Sequence, residues 1–412
     1  MNFVNLSRST KFGIDASVFL AALLTTFQVN ADAFDAILKK AALENGFAPA
    51  SATHVQTSPP LVPLGKIFFE SKNLSLNSDV SCGDCHLDKF GSGDGIPLAI
   101  GIGGTNAGRD RALGNGAIIP RNTLALWGRG GKKFNVFFWD GRTDFSGKDK
   151  ISPFGEKLPS EDPLVTMIHL PAIEIREMLQ EDKFISSQKK ESVANAQNVF
   201  SSIIGRLNRN EAGAMAKLAG ALRIEKSELS FVNIATAIAH FIRRKFQIES
   251  SPFHKYIFEE GKLSETERRG ALLFYGKGKC GICHSGPYFS DFKFHSIAMP
   301  QLGFGKNGFG VDYGRYNATH NPKDLYRFRT PPLVNVAKTA PFGHSGSLAT
   351  LDEAIIAHFD PLRFIEPNKM SSLDRHEIYK RMLAGAEGIV QIGYLDDQEV
   401  SDISEFLKSL SY

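Results

Sequence analysis

The chain has 412 residues, 42% of them apolar and 22% charged, which suits two or three cored domains and excludes a disordered segment or a coiled coil. Its formal net charge of +4 is close to neutral for this length and gives no sign of a nucleic-acid partner. The 38 glycines and 32 phenylalanines fit loop-rich domains closing around large flat apolar ligands, and a loopy globular protein accounts for them almost as well.

The first residues read as a secretion signal: Arg8 and Lys11 give a positive start, Ala16 to Phe27 is mostly apolar, and Val29-Asn30-Ala31 is a small-residue cleavage site. The apolar stretch falls short of the about 20 residues a bilayer span needs. Asp15 is out of place in such a signal, so an uncleaved interfacial anchor is the alternative. Cleavage after Ala31 takes the formal charge from +4 to +3. No later segment reads as a transmembrane helix. The expectation is an exported, periplasmic protein.

All four cysteines fall into two pairs, each followed at once by histidine: Cys82-Gly83-Asp84-Cys85-His86 and Cys280-Gly281-Ile282-Cys283-His284. This spacing is the attachment signature of c-type haem. Residues three apart on a helical turn share a face, so two thiols reach the two vinyl groups of one porphyrin and the adjacent imidazole reaches the iron. Disulfides, a zinc site of four cysteines and two histidines, and a thioredoxin-like dithiol are the alternatives. The last lacks the βαβ setting it needs. Two copies that consume every cysteine of an exported chain favour two covalently attached c-type haems.

The motifs lie 198 residues apart, so each centres one lobe. Around them the chain reads as helices and long loops. Phe231, Ile234, Ile238, Phe241 and Ile242 form one apolar helix stripe. Ser264 with Glu267, Thr350 with Glu353 and Asp396 with Glu399 open helices as capping pairs. The Thr350 helix places Leu351, Ile355 and His358 on one face. Gly101-Ile102-Gly103-Gly104 follows no strand, so it is not a nucleotide loop. The stretch from Lys183 to Glu228 is polar and helix-prone, with no chemistry to name. The expected fold is mainly α, with two cytochrome c-like haem domains and long loops. The boundaries are 1–31 for the signal peptide, 32–228 for a peroxide-reactive domain and 229–412 for an electron-transfer domain.

Several blocks in order resemble the bacterial diheme cytochrome c peroxidase and MauG family, from about Pro63 to the C-terminus. They are Leu64-Gly65-Lys66-Ile67-Phe68-Phe69, Phe138-Trp139-Asp140-Gly141-Arg142, Ser285 to Asp291 after the second motif, Phe328-Arg329-Thr330-Pro331, and Thr339 to Gly346. Methanobactin-associated diheme enzymes are similar too. The resemblance implies two cytochrome c-like domains with a calcium ion between them, and His86 and His284 as proximal iron ligands. It implies Trp139 as a relay between the haems and Arg329 near the haem region. The calcium ligands implied are the side chain of Asn122 and the carbonyls of Thr339 and Pro341.

Many family members carry a second histidine ligand in a Gly-His-Gly loop; here Ile102 stands in that loop, so the far face of the first haem reads as open. His169 is the lesser candidate for that face. The family's Glu-Met pair, matched by Glu177-Met178, implies Glu177 as the acid–base group for peroxide, with Glu174 as its rival. The position of the second haem's distal ligand, Met or Tyr in the family, falls on His358. Val334 replaces a usual arginine.

The expected function is hydrogen-peroxide-dependent oxidation, with high-valent chemistry at the first haem and electrons arriving through the second. The electrons come either from a periplasmic cytochrome c or copper protein, or from residues of a partner protein that is thereby modified. A diheme electron carrier without turnover is the non-enzymatic alternative.

Overall fold

The computed structural model describes residues 33–179, 195–306, 308, 310–386 and 392–412; the signal segment and its cleavage site lie outside them. Helix α1 spans 33–44. It is followed by α2 (Leu61–Glu70), α3 (Cys82–Cys85), α4 (Pro163–Ile173), α5 (Ala196–Asn210), α6 (Ala212–Leu222) and α7 (Phe231–Lys245). The second half holds α8 (Pro252–Phe258), α9 (Glu265–Tyr275), α10 (Tyr316–Thr319), α11 (Leu351–Phe359), α12 (Ser372–Ala386) and α13 (Asp397–Lys408). Strand pairs are minimal and antiparallel: β1 (Val136–Phe137) with β2 (Thr143–Asp144), and β3 (Phe294–His295) with β4 (Phe328–Arg329). The fold is the mainly α, loop-rich architecture expected. Among the described residues no helix is long and apolar enough to cross a membrane.

The three capping pairs form as read. The Glu267 amide donates to Ser264 Oγ at 3.2 Å while the Ser264 amide donates to the Glu267 carboxylate at 2.6 Å. The Thr350–Glu353 and Asp396–Glu399 pairs close the same reciprocal loop. Each satisfies amides that the first helical turn leaves without partners.

Two apolar cores hold the chain, and each is built on one crossing of two helices. In the first core α2 packs on α7, and a Cβ on Gly65 would overlap the carbonyl of Ala237. In the second, α9 packs on α13, and a Cβ on Gly270 would overlap the carbonyl of Asp402. Missing side chains at these two points let the facing backbone come where a Cβ would otherwise stand. Each haem-attachment motif follows the glycine-bearing helix of its pair.

This pairing moves the domain boundary. The stripe Phe231, Ile234, Ile238, Phe241 and Ile242 is buried as expected, but it packs in the first core beside Leu61, Leu64, Phe68 and Phe69. Thus α7 closes the first lobe, and a division at 228/229 would strip α2 of its partner. Leu38, Ala42 and Phe47, near the start of the described chain, belong to the second core.

Alanine at Gly65 or Gly270 is expected to destabilise the lobe concerned. Overpacking against backbone costs roughly 1–3 kcal/mol and outweighs the about 1 kcal/mol gained in helix propensity. Thermal unfolding followed at the haem bands checks this, and an unchanged or raised midpoint would refute the crossing argument.

His169 supplies a second test. It lies in α4 at 1% exposure, donates Nδ1–H to the Val165 carbonyl at 2.7 Å, and faces the rings of Phe154, Phe200 and Phe231 edge-on. Burial pulls it down to about 4 from its ordinary 6.5. The unfolded chain therefore takes up this proton near pH 6.5 and the folded chain only near pH 4. Stability is fully present above 6.5 and falls as the pH drops toward 4, by roughly 3 kcal/mol from this residue. In His169→Phe that part of the acid limb should flatten, read from unfolding midpoints at pH 7, 5.5 and 4.

Candidate functional site

The first motif opens at Ser81, whose amide donates to Asp84 Oδ2 at 2.9 Å and starts the short helix α3. Cys82, Cys85 and His86 line one cavity together with Phe69, Leu126 and Ile238 of the first core. His86 Nδ1 meets the Ser92 carbonyl at 2.8 Å. A carbonyl only accepts, so Nδ1 carries the proton and Nε2 the lone pair, as a metal-binding imidazole requires. Burial holds His86 down at about 4 despite that hydrogen bond, and the guanidinium of Arg129 pushes the same way. At neutral pH the ring is therefore in its ligand form. Burial pushes the Cys82 thiol up to about 12 and Cys85 up as well, the opposite of a reactive dithiol.

The same cavity is bordered by Glu174, Glu177, Arg142, Lys306, Met167 and Met178. Among the lining residues His86 is the one histidine; His169 is not among them. Neither glutamate is a helix charge. Both stand in a turn beyond α4, where the Glu177 amide donates to the Glu174 carbonyl at 3.2 Å and Arg176 takes a left-handed φ of 75°. The Gly101 loop braces this turn: the Ile102 amide donates to the Arg176 carbonyl at 3.0 Å, and any side chain on Gly101 would overlap that carbonyl. Ile102 itself is not in the cavity wall; Gly101 is. Lys306, from the second half of the chain, grips both oxygens of Glu174 at 2.9 and 3.0 Å, and Arg142 Nη2 lies 3.3 Å from the same carboxylate. Sequence reasoning missed both cations. Arg142 ends a quoted block, whereas Lys306 lies in no motif.

In the second cavity Cys280, Cys283 and His284 meet His358. The two imidazole ring centres are 6.4 Å apart with planes at 62°. Two bonds of about 2 Å to one metal ion, plus the step from each nitrogen to its ring centre, add up to nearly this spacing. His284 Nδ1 donates to the Phe289 carbonyl at 2.9 Å and His358 Nδ1 to the Ala354 carbonyl at 2.6 Å, leaving an Nε2 lone pair on each ring. Burial lowers both rings, His284 to about 4 with His358 adding to the effect. Cys283, Asp291 and His295 also gather as a three-ligand cluster. A haem thioether commits the Cys283 sulfur, so the haem-bearing chain lacks that ligand.

Asn122, Thr123, Leu124, Arg129 and Trp139 line both cavities and form the wall between them. Trp139 sits at the tip of the β1–β2 hairpin, and its indole N–H donates to the Asn122 carbonyl at 3.0 Å. Arg329 clasps it, donating its amide to the Trp139 carbonyl at 2.8 Å and its Nε to the Phe138 carbonyl at 2.9 Å. The Asn122 amide meets the Pro341 carbonyl at 2.7 Å, and Thr339 and Pro341 line the second cavity with it. Turned end for end, that amide presents its oxygen beside the carbonyl. Val334 is buried in the first core and also borders the second cavity. Two cavities, each edged by two partly buried thiols and an imidazole with its outer nitrogen tied to a carbonyl, fit two covalently held haems.

A family model described as di-haem cytochrome c peroxidase matches residues 59–263. The chain belongs to that family. Relatives include the cytochrome-c peroxidase IdrP1 of Pseudomonas sp. (strain SCT), 26% identical over 88% of each chain. The methylamine utilization protein MauG of Methylorubrum extorquens is 26% identical over 80% of each chain. A crystal structure of a MauG-like protein associated with microbial copper homeostasis superposes with a TM-score of 0.61 at 25% identity, covering 89% of this chain and 92% of that one. This di-haem peroxidase is thus an oxidoreductase with two c-type haems, and the carrier without turnover gives way to an enzyme.

Proposed function

We propose that this di-haem peroxidase is an exported, periplasmic enzyme that uses hydrogen peroxide at the first haem and draws electrons from a partner protein through the second. The supporting observation is the asymmetry of the cavities. His284 faces a second imidazole with ring centres 6.4 Å apart, whereas among the described residues the wall of the first cavity holds no second histidine and carries Glu174 and Glu177 with Arg142 and Lys306 beside them. The first haem supplies an iron face for peroxide and the redox chemistry. The chain's part is proton handling: Glu177 takes the proton from the near oxygen and delivers it to the departing one. Glu174 is engaged by Lys306 and Arg142 and serves to fix their charge beside the site. His358 would join His284 in holding the iron of the second haem. Trp139 relays charge through the shared wall, and Arg329 holds it in place. A calcium ion held by Asn122 Oδ1 and the carbonyls of Thr339 and Pro341 braces the wall, because hard neutral oxygens suit that ion. The segment from Arg8 to Ala31 directs export.

The reductant divides two forms of the proposal: a cytochrome c or copper protein in a peroxidase, or residues of a modified partner in a MauG-like enzyme. Histidine at position 358 and the likeness to a MauG-like structure favour the second.

The ferric holoprotein is expected to show one high-spin and one low-spin haem by EPR. Two low-spin haems would mean that Met167, Met178 or another group closes the first iron, and peroxide use would fail. Glu177→Gln should lower peroxide turnover roughly 10²–10⁴-fold with the spectrum kept, and Glu174→Gln should lower it less. Equal losses would remove the distinction. Reduced cytochrome c supplied with peroxide separates the two reductants: rapid oxidation marks the peroxidase, and negligible oxidation with peroxide-dependent change in a partner marks the modifying enzyme.

Chelation with EGTA should reduce turnover in the wild type and change nothing further in Asn122→Ala. Turnover indifferent to EGTA would dismiss the ion.

A further inference from the structure

At the wall between the cavities and beside it stand two guanidinium groups, Arg129 and Arg329, with no carboxylate partner among the described residues. Arg129 and Arg329 are 4% and 1% exposed. Arg129 donates Nε–H to the Ala125 carbonyl at 2.8 Å. Arg329 donates Nε–H to the Phe138 carbonyl and Nη1–H to the Thr330 carbonyl at 3.4 Å, while its buried Nη2 has no partner. Phe134 lies between them, 5.7 Å from one guanidinium and 5.9 Å from the other.

Among the described residues neither forms an ion pair, whereas Arg121 pairs with Asp140 and Asp312, Arg142 with Glu174 and Arg315 with Asp144; Arg381, buried at the edge of the second cavity, bonds the Met299 carbonyl instead. Asp140 is the carboxylate that acts on Arg329, and it is already held by Arg121 at 2.6 Å. Burial pulls Arg129 down to about 10 and Arg329 below its ordinary value, with Arg129 adding to the second effect. Arginines keep their charge, and an unpaired buried charge is strongly disfavoured. The counter-charge has to come from what fills the cavities. Each c-type haem carries two propionate carboxylates, and bidentate pairing with carboxylate is what a guanidinium does best.

We propose that Arg129 and Arg329 are propionate counter-ions and that Arg129 serves both haems at once. Arg129 borders both cavities, whereas Arg329 borders the second alone. Its charge also acts on His86, the iron-side imidazole of the first cavity. A fixed cation near an iron favours the ferrous state, so one side chain raises both potentials together, and Arg329 raises the second only. The inference rests on the two haems and not on peroxide use, because midpoint potentials are read without turnover.

Spectroelectrochemical titration of the full holoprotein tests it. Arg129→Gln is expected to lower both midpoints, Arg329→Gln to lower the second haem's alone, and Arg129→Lys to restore both toward wild type. A shift confined to one haem in Arg129→Gln, or no shift, overturns the sharing. An Arg129→Lys shift as large as that of Arg129→Gln makes the role steric and overturns it as well. Should Arg129→Gln fail to assemble with both haems, resonance Raman of the lysine variants decides. Propionate bending bands of both haems should move in Arg129→Lys and those of one haem in Arg329→Lys. Movement of one haem's bands or none in Arg129→Lys refutes the proposal.

Discussion

Everything at the centre of this molecule depends on one buried ionic cluster. Arg121 grips Asp312 with two hydrogen bonds, at 2.7 and 2.8 Å, and Asp140 with a third at 2.6 Å. All three residues are almost wholly buried. Charges taken out of water are tolerated only when geometry repays their desolvation, and a planar guanidinium facing two carboxylates does so. The pairing holds Asp312 well below the usual carboxylate range and Arg121 above its ordinary value. Arg121 immediately precedes Asn122, Asp140 immediately follows Trp139, and Asp312 comes from the other half of the chain. Arg315 adds to the clasp through the Asp140 and Gly141 carbonyls and Asp144. The wall that both haem cavities share is therefore pinned by charges whose separation would strand ions in the core.

The two lobes repeat one device and then diverge. Each uses a helix crossing at a glycine, followed by a haem-attachment turn with its histidine tied to a carbonyl. The difference lies in what the next elements bring across the cavity. In the second lobe the capped helix α11 presents His358 toward His284. In the first, α4 ends at Ile173 and the turn beyond it presents glutamates, met there by Lys306 from the other half of the chain. An imidazole closes one site, and acids and cations line the other.

What was legible in the sequence follows the reach of each signal. The haem motifs and capping pairs are local chemistry, where three or four residues decide the outcome; the capping pairs form as read, and each cysteine–histidine motif lines a cavity. The glycine crossing was legible in principle, since Gly65 precedes Phe69 as Gly270 precedes Phe274, each before a cysteine pair. The boundary near 228 failed because an apolar stripe says that a helix is buried and not against which neighbour. The Gly101-Ile102-Gly103 loop was read for the ligand it lacks; the structure gives Gly101 another task, close approach to the Arg176 carbonyl. Lys306 and Arg129 were invisible because their roles come from contacts across the fold rather than from neighbours in the chain.

The proposed ligation and the unpaired arginines act on the second haem in opposite senses. Two imidazoles favour the ferric state and lower its potential, whereas two buried guanidiniums at the wall raise it. The first haem, with one imidazole and the single cation Arg129 in common, is raised by less. Fixed charges at the wall therefore narrow or reverse the difference that axial ligands alone would set between the haems, and Trp139 lies between the two sites where that difference acts. Because Arg329 both borders the second cavity and clasps the Trp139 backbone, the proposed control of one haem's potential and the position of the proposed relay rest on the same side chain.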